Sequence, residues 1–147
     1  VGREHTILPA RSCAVGVARR YARGVFERWG VPAPWVGEAL VVVSELGTNA
    51  VVHGASPARK PVTLTLEFVS CRVGAALLIT VRDVTPVSLA LHLGLTGRQP
   101  SPCGWASGGR GLAIVRGLAD RVEAHAEPDG KAVSALFLLL RPEHQAA

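Results

Sequence analysis

The stretch VVVSELGTNAVVHG, residues 41–54, sets a carboxylate, a carboxamide and an imidazole into a run otherwise apolar enough for a protein interior. Glu45, Asn49 and His53 recur every fourth residue. At about 100° per residue, positions four apart drift only about 40° per step, so on a helix the three share one side. A buried carboxylate or amide without a partner is costly, so such a side is met by protein groups, by water or by a ligand. The spacing is equally that of the solvated side of a half-buried helix, with Ser44 and Glu45 as ordinary polar residues.

Working outward, the pattern predicts a helix from about Val36 to Val52, apolar on most sides and therefore buried. Upstream, REHTILPA (3–10) predicts a short strand closed by Pro9. RSCAVGVARRYARGVFERWG (11–30) predicts an amphipathic helix, with Val15, Ala18, Ala22, Val25, Phe26 and Trp29 at helical spacing, ending at Gly30. VPAPW separates the two helices.

Downstream, VTLTLEFV (62–69) and AALLITVRD (75–83) predict a hairpin of two aliphatic, β-branched strands. From Val84 to about Gly109 the sequence is rich in Gly and Pro and predicts a long, weakly patterned loop of the kind that serves as a lid. GRGLAIVRGLAD (109–120) predicts a third helix. RVEAHAE and KAVSALFLLL flank a PDG turn and predict a second hairpin. There is no internal repeat. The order fits one α/β domain over residues 1–147, a two-layer sandwich of a mixed, mostly antiparallel sheet and three helices.

Composition narrows the function. With 147 residues, 48% of them hydrophobic, the chain can bury the core of a single domain. A formal charge of +5 favours acidic partners, but the basic residues are scattered, so direct nucleic-acid binding is not expected. Arg11, Arg19, Arg20, Arg23 and Arg28 lie on the first helix and read first as a solvated face. Cys13, Cys71 and Cys103 lack zinc-site spacing and are expected to be reduced thiols. No leader pattern is visible and the longest apolar runs fall short of the roughly 20 residues of a membrane span, so a cytoplasmic, membrane-free protein is expected. Val1 in place of Met is expected of a trimmed or truncated start.

Two further elements add chemistry. Asp83 stands where an apolar strand turns into the loop; a carboxylate there can accept a hydrogen bond from an exocyclic amine, and is also a common turn former. SGGRGLAIV (107–115) places glycines at a helix start, where free N–H groups and the helix dipole favour an anion such as phosphate. Arg110 can add charge-assisted hydrogen bonds in the same turn, or be a plain surface residue.

SELGTNAVVHG, a strand ending in RD, and a variable segment closing with GGRGLAIV together resemble the N box and the two glycine boxes of the GHKL (histidine kinase-like) ATP-binding fold. Within that fold the chain is most similar to small bacterial anti-sigma-factor serine/threonine kinases of actinobacterial type, over roughly residues 5–141. The resemblance implies ATP and Mg²⁺ as cofactors, with Asn49 as the metal ligand and Glu45 as the general base. It implies Asp83 at the adenine amine, Gly109, Gly111 and Leu112 at the phosphates, His53 and Arg110 as further nucleotide-binding residues, and residues 86–108 as an ATP lid. The implied activity is phosphorylation of a small anti-sigma-factor antagonist, coupled to sequestration of a sigma factor, and a homodimer is compatible with it.

One departure stands out. The family's first glycine box usually reads Asp-x-Gly-x-Gly, whereas here it is DVTPV, with Thr85 and Pro86 in place of glycines. The adenine-side turn is therefore expected to be built differently, and the alternative function is a non-catalytic partner-binding module with weak or structural nucleotide binding. A phosphoacceptor helix pair does not fit beside this domain in 147 residues, so His53 is not expected to be a phosphoacceptor.

Overall fold

The computed structural model describes residues 1–54, 60–88, 91–92, 95 and 108–140. The elements run β1 (Gly2–Leu8), α1 (Ala14–Trp29), α2 (Ala33–Asn49), a π-helical turn (Ala50–Gly54), β2 (Val62–Cys71), β3 (Gly74–Asp83), α3 (Gly108–Leu118), β4 (Arg121–Glu127) and β5 (Gly130–Leu140). The strands form one sheet in the order β1-β2-β3-β5-β4, and all four pairings are antiparallel rather than mixed.

Alternation along the strands decides which face of the sheet is covered. Val62, Leu64, Leu66 and Phe68 of β2, Leu77, Ile79 and Val81 of β3, and Val133, Ala135, Phe137 and Leu139 of β5 are all buried at every second position. They join Ala18, Ala22, Val25 and Phe26 of α1 and Leu40, Val43 and Leu46 of α2 in one core. Burying each of the larger side chains stabilises the fold by about 1.5–3 kcal/mol. The opposite face carries Thr65, Thr80 and Ser134 abreast on three neighbouring strands, with Thr80 Oγ1 and Ser134 Oγ 3.0 Å apart.

Local chemistry sets the helix limits. α1 ends in a Schellman motif: Gly30 takes a left-handed conformation (φ 67°), its N–H donates to the Glu27 carbonyl, and the Val31 N–H donates to the Phe26 carbonyl. VPAPW does not delay α2 as far as Val36. Pro32 is its N-cap and Pro34 lies in the first turn, where no backbone N–H is required, so the helix begins at Ala33. At the other end the α-helix stops at Asn49 and widens into the π-helical turn, rather than continuing unchanged to Val52.

Ala33–Val52 is 20 residues long and, contrary to the expectation from apolar runs, apolar enough to cross a membrane by length and composition. Here it packs in the core against α1, α3 and the sheet. Arg19 ties α1 to it, donating from Nη1 to Ser44 Oγ at 2.6 Å and to the Leu40 carbonyl at 3.3 Å.

The segment expected to be a structureless lid is not structureless throughout. Ser88 caps a helical turn, its Oγ accepting from the Leu91 N–H at 3.1 Å and its carbonyl accepting from the His92 N–H at 3.0 Å. Leu91 is buried in the core. Most of the expected lid, 86–108, lies outside the described residues.

Both margins of the sheet carry charge. On β1, Arg28 bonds Glu4 at 2.7 Å and Arg3 reaches Glu67 at 3.5 Å. On β4, Glu123 is flanked by Arg121 and His125, and Glu127 accepts from Arg82 Nε at 3.0 Å.

Candidate functional site

Glu45 and Asn49 lie one helical turn apart on the last part of α2, both half-buried. Neither side chain has a hydrogen-bond or ion-pair partner among the described residues. Half-buried polar groups of this kind are met by water, by a ligand or by residues outside the described set. α3 supplies the other wall. Its first turn packs on α2 so closely that a Cβ added to Gly111 would sit 2.6 Å from Glu45 Oε2. The glycine therefore brings the backbone of a helix start next to a carboxylate that has no polar partner among the described residues.

Leu112, the next residue, is 3% exposed and anchors this turn in the core beside Leu46 and Val115. Gly109 and Arg110 belong to the same helical turn by backbone, with the Arg110 side chain outside the described set. His53 is in the π-helical turn that follows Asn49, and its side chain is likewise outside the described set. The structure thus brings Gly111 of α3 against Glu45 of α2, with Asn49 one helical turn further along α2 and Leu112 next to Gly111 in the chain.

Asp83, at the end of β3, faces inward with the core residues of its strand and its side chain is 3% exposed. Its Oδ1 accepts from the Thr85 N–H at 2.8 Å and from Thr85 Oγ1 at 2.6 Å, an Asx turn. This is how the turn is built without the glycines of the usual box: the threonine hydroxyl and amide close it from within. Lys131 then adds an ion pair, Nζ to Oδ1 at 2.8 Å, and also donates to Thr85 Oγ1. Gly130 permits the approach, since a Cβ there would fall onto the Asp83 carbonyl oxygen.

Lys131 is the residue that the sequence expectations passed over. It faces Asp83 directly across the β3–β5 ladder. The signal was its parity, since 131, 133, 135, 137 and 139 alternate in phase and the other four are apolar and buried. A lysine in that phase is directed inward and requires a buried counter-charge.

The donor set fits a hard cation only through a nucleotide. No cluster of three or more His, Cys, Asp or Glu side chains suited to a metal exists among the described residues. One carboxamide oxygen, that of Asn49, which has no partner among the described residues, meets what Mg²⁺ asks of a protein when phosphates and waters supply the remaining oxygens. A separate groove of about 430 Å³ between α1 and α2, lined by Arg19, Arg23, Glu27, Val31 and Leu40 among others, includes none of the candidate residues.

No curated protein sequence matches the chain. Among solved structures it is similar to the RsbU and RsbW domains of Rv1364c from Mycobacterium tuberculosis, at 18% identity and a TM-score of 0.66. That match covers 97% of this chain and 34% of the mycobacterial one, so the chain spans about a third of that protein's length. It is also similar to the SiaB–SiaC complex from Pseudomonas aeruginosa, at 10% identity and a TM-score of 0.60, covering 92% of this chain and 88% of the other. At these identities the likeness concerns the fold. In sequence, residues 8–137 match the histidine kinase-like ATPase domain, and the chain belongs to that family.

Proposed function

We propose that the protein is an ATP-binding regulatory kinase of the anti-sigma-factor type, transferring the terminal phosphoryl group of ATP to a serine or threonine hydroxyl of a small antagonist protein and sequestering a sigma factor in the cytoplasm. One observation carries this function: Glu45 and Asn49 are half-buried, one helical turn apart and without polar partners among the described residues, and Glu45 lies against the glycine-bearing first turn of α3. In this proposal the α3 backbone amides hold the phosphates and Asn49 holds Mg²⁺, which supplies charge neutralisation to the triphosphate when bound. Glu45 accepts the proton of the attacking hydroxyl, and Asp83 receives the base amine. Phosphoryl transfer asks mainly for such positioning.

Titration of the chain with ATP and Mg²⁺, alongside N49A and E45A, tests the assignment. Binding by wild type and by E45A, but not by N49A, is expected. Absence of heat and of any thermal shift at millimolar nucleotide would overturn it.

A second function has its own support. Three donors already converge on Oδ1 of Asp83, so the base end contributes less to affinity than a bare carboxylate does. This favours a partner-binding module in which nucleotide is weakly held, and it predicts that N49A binds the partner as wild type does with no phosphate transferred.

A further inference from the structure

We propose that the face of the sheet turned away from the helices receives a second copy of this chain, the two sheets packing face to face about a twofold axis that runs between β3 and β5.

Alternation fails on this face toward one end of the sheet. A strand with one side in water alternates apolar and polar residues, whereas a strand covered on both sides reads as a nearly continuous apolar run. β5 ends in ALFLLL (135–140) and β3 opens in GAALLI (74–79). Ala135, Phe137 and Leu139 are buried in the core. Leu136, Leu138 and Leu140 share the other face with Ser134, and Leu138 and Leu140 are 47% and 43% exposed. Register widens the apolar surface, since Ala76 lies between Val69 and Leu138, and Val69 is 50% exposed. Scattered exposed leucines are ordinary, but a contiguous set on one face marks a surface that another body covers.

Charge indicates which body. The strands carry three arginines and three glutamates on this face, each arginine paired with a glutamate: Arg3 with Glu67, Arg82 with Glu127 and Arg121 with Glu123. The face is neutral although the chain carries +5. It therefore selects neither an acidic nor a basic partner, and two such faces can meet without a net repulsion.

The ladder register makes the face self-complementary. Across a twofold axis between β3 and β5, Leu140 of one copy lies over Gly74 of the other, Leu138 over Ala76, and Leu136 over Leu78. The two most exposed leucines thus each meet a small residue, which lets aligned sheets interdigitate. In the same row as Leu78 and Leu136, Glu67 comes over Arg121. Five strands of 7 to 11 residues present a face on the order of 700 Å², close to the roughly 800 Å² each partner contributes to a stable complex. The backbone is not the docking element. Past the end of β4, the Leu138 N–H donates to Asp120 Oδ2 at 2.7 Å and the Leu136 carbonyl accepts from the Asp120 N–H at 2.9 Å, so β5 offers side chains there rather than a bare edge.

The test is sedimentation equilibrium of wild type, L138K, E67R, R121E and E67R/R121E. Wild type is expected to be a dimer at about 10 μM, and L138K to weaken the dimer at least about a hundredfold by placing an unpaired charge in the seam. E67R and R121E should each weaken it about tenfold, and E67R/R121E should recover most of that loss. A wild type that stays monomeric at about 100 μM overturns the proposal, as does an L138K dimer as tight as wild type, or a double variant no tighter than the single ones. Should L138K fail to fold, as judged by circular dichroism, the exposed pair Glu67 and Arg121 decides. Nucleotide binding is measured separately and neither supports nor removes this seam.

Discussion

Glu45 on α2 and Gly111 on α3 are in such close register that a methyl group on residue 111 would lie 2.6 Å from the Glu45 carboxylate oxygen. The obstructing atom is the tip of a flexible side chain, so the fold can yield where the chemistry cannot. G111A is therefore expected to leave the melting temperature nearly unchanged while displacing Glu45 and lowering phosphoryl transfer by about a hundredfold, since small misplacements of a reacting group have effects of that size. Comparing a thermal melt with a transfer assay separates the two effects; a large loss of stability with normal transfer per folded molecule would contradict the assigned geometry.

Glu45 and Asn49 should separate binding from chemistry. E45Q is expected to keep nucleotide affinity and to lose about 10²–10⁴ in transfer rate, the usual contribution of a general base. N49A should instead weaken Mg²⁺-dependent nucleotide binding by at least about tenfold. Titration calorimetry paired with phosphate incorporation checks both, and equal defects in both assays for both variants would show that the two residues do not divide the work.

The Asp83–Lys131 pair should behave as a buried unit. Removing one member strands the other, so D83A is expected to destabilise the fold by about 3–5 kcal/mol, and D83A/K131M to recover much of that loss. Urea unfolding of the two single variants and the double variant measures the coupling. Additive losses would mean that the pair is not linked.

Gly47 lies in the last turn of α2 with its bare side toward α1, where an added Cβ would meet Val15 Cγ2 at 3.9 Å, an ordinary contact. Since glycine is a poor helix former and space exists, G47A should stabilise the protein by about 0.5–1 kcal/mol. The melting temperature should rise by about 2–4 °C. A fall would show that α1 and α2 cannot accommodate a methyl group.

The acid limb of stability should involve Glu4. Its hydrogen bonds with Arg28 hold the carboxyl below its ordinary value of 4.5. A depressed carboxyl contributes stability above its unfolded value and loses it as pH falls through the folded one. The stability gap between wild type and R28A is thus expected to be constant above pH 4.5 and to close below it. Tyr21 works at the other extreme, where burial, aided by Glu4, raises the phenol above 10.0. Its contribution is complete below that value and is lost as the pH rises through the raised one.

Much of the fold was legible because periodicity in this chain is clean. The inward parity of β2, β3 and β5, the Asp129-Gly130 turn and the Gly30 stop signal each carry their meaning locally. The early start of α2 was misjudged because two prolines read as a break, although the first helical turn tolerates them. The helical turn after Ser88 was hidden by surrounding glycines and prolines, with its cap and buried Leu91 as the available signal.

At the site, the four-residue spacing placed Glu45 and Asn49 on one side of α2, which the structure reproduces. The closeness of Gly111 to Glu45 depends on how two helices dock, and spacing along a chain holds no measure of that distance. The partnership of Asp83 with Lys131 arises from strand register across 48 residues, visible only once β3 and β5 are paired.

The paired charges along β1 and β4 have a consequence for assembly. A strand from another molecule that tried to extend the sheet would have to lie against Arg3, Glu4 and His5 at one border or Arg121, Glu123 and His125 at the other, which disfavours growth by strand addition. Extension of the sheet is thus the least favoured way for another molecule to meet this domain.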